Sequence, residues 1–172
     1  MRPLKVFINQ ASLRHNLGIV RQLVPQSKIM SVIKANGYGH GLINVAHGLR
    51  ESDGFAVLSL SEAIDLREHG FEQTILLLEG AFEAYEIPIA AKMQINLVVH
   101  NIPQLQMIER SKINHPIDIH FKINTGMNRL GFDPKEAKDI LKSLQNKTHI
   151  KSITLMTHFA TCLLYTSDAA DE

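Results

Sequence analysis

The sequence predicts an α/β fold built on a parallel sheet. Six short apolar runs rich in β-branched residues are separated by stretches whose apolar residues recur at helical spacing. Helix-start and helix-stop signals fall between those runs in the right order. Most of the runs are apolar throughout, as strands covered on both faces are. An open doubly wound sheet and a (β/α)8 barrel both satisfy this pattern. A complete barrel needs roughly 250 residues, so a chain of this length supplies about three quarters of one.

Leu13, Leu17, Val20, Leu23 and Val24 fall on one helical face, and Ile29 to Ile33 reads as a strand ending at Lys34. A helix from Leu42 to Arg50 leads to a buried strand at Phe55–Leu58. Ser59 and Glu62 have capping-box spacing before Ala63–His69, and Gly70 sits where a helix C-terminal glycine belongs. Thr74–Leu78 is the third strand. A weaker helical stretch, Phe82–Met93, is broken or started by Pro88. Leu97–His100 is a strand, and a helix through Leu105 and Ile108 follows Asn101. Ile117–Ile123 alternates, so its polar members need partners wherever they point inward. Asp133-Pro134-Lys135-Glu136 is a helix start with an acid at the N-cap and proline at N1. Ala137, Ile140, Leu141 and Leu144 form the buried stripe of that helix, and Ile150–Thr157 reads as a sixth core strand.

A formal net charge of +1 over 172 residues, 45% of them hydrophobic, offers no broad attraction to nucleic acid or an anionic membrane surface. No apolar run is long enough to span a bilayer. The N-terminal run Met1–Asn9 has too short an apolar core for a signal peptide, so cytoplasm is the expected compartment. The single cysteine, Cys162, builds no disulfide framework, and nine scattered histidines form no metal-ligand pattern.

The most informative run is Val32-Ile33-Lys34-Ala35-Asn36-Gly37-Tyr38-Gly39-His40-Gly41. A strand that delivers one amine to a glycine-rich turn can build a lysine that bonds a carbonyl cofactor, because small neighbours let a bulky group approach the backbone. The same spacing also fits an exposed lysine ahead of a flexible turn. Lys122 and Asn124 end the fifth strand, and Thr157 and His158 end the sixth. Ligands of both candidate folds bind at the C-terminal ends of strands, so polar groups from three strands are expected to share one rim. The loop after Lys122 presents Arg129, whose guanidinium can hold a carboxylate or phenolate oxygen in a fixed fork.

Two strings, Lys34-Ala35-Asn36-Gly37-Tyr38-Gly39-His40-Gly41 and Lys122-Ile123-Asn124-Thr125-Gly126-Met127-Asn128-Arg129-Leu130-Gly131-Phe132, resemble the alanine racemase family. Met156-Thr157-His158-Phe159-Ala160 follows in family order, and the resemblance covers residues 3–161. It implies a pyridoxal 5'-phosphate (PLP)-binding (β/α)8 TIM-type barrel, here incomplete with about six of eight strands, and a C-terminal β domain missing from this chain. By motif position, Lys34 resembles the lysine that holds PLP through its amine and acts as one catalytic base. Tyr38 matches a phosphate ligand. Arg129 matches an arginine near the cofactor phenolic oxygen and the substrate carboxylate. His158 matches a histidine packed near the cofactor ring. Lys122 matches a supporting lysine, carbamylated in many members, that orients the arginine. Gly37 and Asn124 depart from the commonest family residues, alanine and aspartate.

The resemblance implies PLP-dependent interconversion of L- and D-alanine, supplying peptidoglycan or alanine catabolism, by a homodimer whose second base is a tyrosine of the partner subunit. A racemase for another amino acid, or a non-catalytic PLP-binding homeostasis protein on the same barrel, would share these strings. Residues 1–161 are thus read as a partial PLP-binding barrel. Residues 162–172 resemble translated sequencing adapter and are read as a non-native tail. The 172-residue chain alone is then expected to be inactive and aggregation-prone, since an open barrel leaves unpaired strand edges.

Overall fold

The computed structural model describes residues 5–144 and 147–159. The expected tail at 162–172, Cys162 and Ala160 lie outside the described residues. Contacts divide the chain into two compact units, Met1–Leu78 and Glu79–Glu172.

The first unit contains α1 (Gln10–Leu23), β1 (Met30–Val32), α2 (Lys34–Tyr38), α3 (Leu42–Gly48), β2 (Gly54–Val57), α4 (Leu60–Glu68) and β3 (Thr74–Leu77). Its strands are parallel, with Met30 opposite Gly54 and Gly54 opposite Thr74. Phe55, Val57, Leu66 and Ile75 form a fully buried centre, and Phe71 meets Phe55 edge-on at 5.5 Å. The capping box forms as the spacing predicts: the Ser59 hydroxyl accepts from the Glu62 N–H at 3.2 Å, and the Glu62 carboxylate accepts from the Ser59 N–H. Gly70 takes the left-handed conformation after the helix, φ 79°.

Helix α1 departs from expectation. Only Leu17 is buried, and Leu23 is 76% exposed. The reason is a one-sided contact. Leu13 packs on Gly48 of α3, where a Cβ would stand 2.7 Å from Leu13 Cδ1, and the last turn of α1 has no such cover.

The second unit contains α5 (Glu86–Lys92), β4 (Ile95–Val99), α6 (Ile102–Arg110), β5 (Ile117–Lys122), α7 (Pro134–Leu144) and β6 (Ile150–Met156). These strands are also parallel, with Leu97 opposite Ile119 and Ile119 opposite Ile153. Helix α5 starts at Glu86 rather than Phe82, with Pro88 in its first turn, where its missing N–H leaves no gap. Asn101 caps α6 by accepting from the Gln104 N–H at 2.9 Å. Ile117, Ile119 and Phe121 point to one buried face, and Phe121 stacks on Phe132 with centroids 4.4 Å apart.

Strand β6 is not a core strand among the described residues. It pairs with β5, yet every residue from Ile150 to Met156 is exposed or half-buried, because no described element covers its faces. Among the described residues no helix is long and apolar enough to cross a membrane.

Candidate active site

Strand β1 stops at Val32, two residues earlier than the sequence suggests, so Lys34 opens a turn rather than ending a strand. That turn is left-handed. Ala35, Asn36, Gly37, Tyr38 and Gly39 all have φ between 53° and 81°. The left-handed region costs ordinary L-residues about 1–2 kcal/mol each, which applies to Ala35 and Tyr38, whereas glycine and asparagine enter it readily. Space favours glycine at 37 as well: an added Cβ would lie 2.9 Å from Val45 Cγ2, so that side chain would have to shift. This explains why glycine is well suited to the position at which the resemblance marks a departure.

Hydrogen bonds hold the turn in this form. The Gly37 N–H donates to the Ile33 carbonyl at 2.9 Å, the Gly39 N–H to the Ala35 carbonyl at 3.0 Å and the Gly41 N–H to the Asn36 carbonyl at 2.9 Å. The Asn36 side chain accepts from the Leu42 N–H at 2.9 Å, tying the turn to the start of α3. The result places a half-buried Lys34, whose amine has no protein partner among the described residues, at the head of the turn. Tyr38, 58% exposed, stands four residues later.

In the second unit, Lys122 ends β5 and is buried, 6% exposed. Burial pushes its amine below the ordinary lysine range. The Arg129 charge pushes the same way, and Glu79 opposes it. The register that sets Val99 beside Phe121 places His100, the next residue, beside Lys122. Burial also holds the His100 imidazole below its usual range. His100 Nε2 lies 3.2 Å from the Glu79 carbonyl, which can only accept, and Nδ1 lies 3.2 Å from the Asn101 amide nitrogen. The geometry therefore selects the neutral Nε2–H form.

The turn that carries Glu79 is gripped from a second side. Buried Gln104 donates to the Glu79 carbonyl at 2.7 Å and accepts from the His100 N–H at 3.0 Å. Sequence reading missed Glu79, His100 and Gln104 as parts of this rim. The one available signal was Glu79-Gly80 directly after an apolar strand.

The loop from Ile123 to Phe132 is closed at its base by paired bonds, Asn124 N–H to the Phe132 carbonyl and Phe132 N–H to the Lys122 carbonyl, each 2.9 Å. Within it the Asn124 side-chain oxygen, Oδ1, accepts from Gly126 N–H at 3.1 Å and Asn128 N–H at 3.0 Å, while its side-chain Nδ2 donates to Asn128 Oδ1 at 2.9 Å. An aspartate at 124 could not make that last bond, so Asn124 and Asn128 form a matched pair. Arg129 projects from the loop, exposed. Thr125 hydrogen-bonds the Thr157 hydroxyl and donates to the His158 carbonyl at 3.5 Å, joining the loop to the end of β6. His158 itself is half-buried.

The sequence-predicted residues thus fall in two groups. Lys34 and Tyr38 share one turn of the first unit; Lys122, Arg129 and His158 are joined through one loop of the second. The first group offers an amine and a phenol as hydrogen-bond donors, and the second an amine, a guanidinium and an imidazole.

The strands and helices of the described residues define an α/β protein built on parallel strands. The family model described as alanine racemase, N-terminal domain, matches residues 8–172. The chain belongs to that family. The alanine racemase of Nitrosomonas europaea is 53% identical over 159 residues, which are 92% of this chain and 44% of that protein. That of Nitrosospira multiformis is 46% identical over the same shares. Among solved structures, the biosynthetic alanine racemase from Pseudomonas aeruginosa matches with TM-score 0.89 and 35% identity, over 93% of this chain and 45% of that one. The chain therefore spans less than half the length of these three relatives, and its fold class is that of their barrel: α/β, with six strands here of an incomplete (β/α)8 barrel.

Proposed function

We propose that this chain carries the cofactor-holding part of a cytoplasmic, homodimeric PLP-dependent alanine racemase, which interconverts L- and D-alanine for peptidoglycan or alanine catabolism. The observation that carries the proposal is the Lys34 amine, without a protein partner among the described residues, at the head of a left-handed turn that also presents Tyr38. PLP, when bound, supplies the electron withdrawal that makes the substrate Cα proton removable.

Each residue then has a task. Lys34 fixes the cofactor through its amine and, when free, takes or returns the Cα proton on one face. Tyr38 donates its hydroxyl hydrogen to the cofactor phosphate. Arg129 holds the substrate carboxylate with a forked pair of N–H donors, which fixes the orientation of Cα. His158 would lie beside the cofactor ring. In the full-length protein with PLP, L-alanine is expected to yield D-alanine until the two are equal, followed by chiral chromatography. Failure to form D-alanine, or racemisation of a different amino acid in its place, would contradict this reading.

Lys122 is proposed to be carbamylated. Its depressed basicity leaves more of the neutral amine, the form that attacks carbon dioxide. The new N–C bond forms as the amine proton passes to water. The resulting anion is stabilised by Arg129, so two like charges become an opposed pair. In 13C-bicarbonate the full-length protein is expected to show a carbamate resonance that Lys122→Ala lacks. A spectrum without that resonance in the unsubstituted protein would refute the modification.

A further inference from the structure

We propose that Glu62 is a positioning residue for Lys34: its carboxylate clamps the left-handed turn that carries the lysine. The inference rests on the reading of Lys34 as the cofactor anchor and extends it to a residue 26 positions beyond Asn36 in sequence.

Glu62 is half-buried in the first turn of α4, and its two oxygens face two different segments. Oε2 accepts from the Leu58 N–H at 3.2 Å and the Ser59 N–H at 3.5 Å, which is ordinary helix capping. Oε1 accepts from the Asn36 N–H at 2.8 Å, the shorter and stronger contact, and a charged acceptor strengthens it further. Asn36 is the second left-handed residue of the turn, φ 54° and ψ 47°. Its N–H has lost the strand ladder that ended at Val32 and has no earlier left-handed turn to donate into. Glu62 is its acceptor, and the Asn36 side chain in turn holds the Leu42 N–H.

The clamp therefore acts where the turn is least favourable. Ala35 and Tyr38 resist the left-handed region, and the direction in which Lys34 and Tyr38 leave the backbone depends on the turn staying in it. Capping alone would need one oxygen. The second oxygen ties the N-terminus of α4 to the lysine turn, so the strand ends of β1 and β2 are held as one piece.

The chemistry separates three substitutions. Glu62→Ala removes both acceptors. Glu62→Gln keeps one oxygen and sets an NH2 against an N–H, so either the turn or the cap loses its partner. Ser59→Ala removes the other half of the capping box and leaves the Asn36 bond in place.

The test is amide hydrogen exchange of residues 34–41 in the full-length protein without PLP, together with the equilibrium dissociation constant for PLP. Glu62→Ala is expected to speed exchange in this segment at least tenfold and weaken PLP binding at least tenfold, with Glu62→Gln between it and the unsubstituted protein. Ser59→Ala is expected to leave both near the unsubstituted values while loosening α4. If Glu62→Ala does not fold, Glu62→Gln and Ser59→Ala carry the comparison. Equal exchange at 34–41 in the Glu62 and Ser59 variants would overturn the clamp. Faster exchange in the Glu62 variants, with no PLP uptake even by the unsubstituted protein, would uphold the clamp and overturn Lys34 as the anchor.

Discussion

Lys34→Ala in the full-length protein is expected to remove the visible absorbance of bound PLP and to lower alanine racemisation by about 10³-fold or more, since both covalent attachment and one proton-transfer group are lost. The effect should be confined to function. Lys34 is half-buried, its amine has no protein partner among the described residues, and truncating it creates no unsatisfied group. Stability should therefore stay within about 0.5 kcal/mol of the unsubstituted protein. Thermal unfolding and chiral product analysis on the same preparation separate the two. Turnover retained by Lys34→Ala would end the assignment of this residue; a collapsed Tm would make the lysine structural.

The largest expected loss of stability comes from Gly80→Ala. Gly80 sits at φ 74°, and an added Cβ would stand 2.1 Å from the Val98 carbonyl and 2.7 Å from Gln104 Nε2. The carbonyl belongs to β4 and cannot retreat without breaking the sheet, and Gln104 is already committed to the Glu79 carbonyl. Overpacking against backbone together with a displaced buried amide should cost about 3 kcal/mol or more. Gly70→Ala is the comparison. It has nearly the same φ, 79°, but nothing within 4 Å of its Cβ position, so it should cost only about 1 kcal/mol. Urea unfolding of the two variants decides the matter, and equal midpoints would show that the close approach at Gly80 is unimportant. Because Glu79 lies within charge range of Lys122, Gly80→Ala should also disturb the Lys122 end of β5.

Local chemistry made much of the fold legible. Ser59 and Glu62 announced a capping box, Asp133-Pro134 announced a helix start, and Gly70 marked a left-handed helix end; each appears where the spacing places it. These are interactions within a few residues of one another, where residue type alone decides the geometry. The glycines of the Lys34 turn announced a tight turn but not its hand. Residue type alone does not assign positive φ to Ala35 and Tyr38; besides the turn's own hydrogen bonds, the Asn36 N–H is taken by Glu62, far along the chain.

The site was legible to the same extent. Lys122 ends β5 and Arg129 lies in the loop after it, as the sequence suggests, whereas Lys34 opens a turn beyond β1 and His158 lies two residues past β6. The burial that lowers the basicity of Lys122 and the Glu79 charge that opposes it were not visible, because both depend on elements far from Lys122 in sequence. Periodicity also overstated burial. Leu23 in α1 and Leu155 in β6 fit buried patterns, yet both are exposed, since a pattern records which face a residue occupies and not whether anything covers it.

The central claim, that Lys34 is the cofactor anchor, is tested most directly by reducing the PLP-loaded full-length protein with borohydride and locating the fixed pyridoxyl group by peptide mass spectrometry. The account predicts the label on Lys34 alone. A label on any other lysine, or no label on a protein that has taken up PLP, would contradict it.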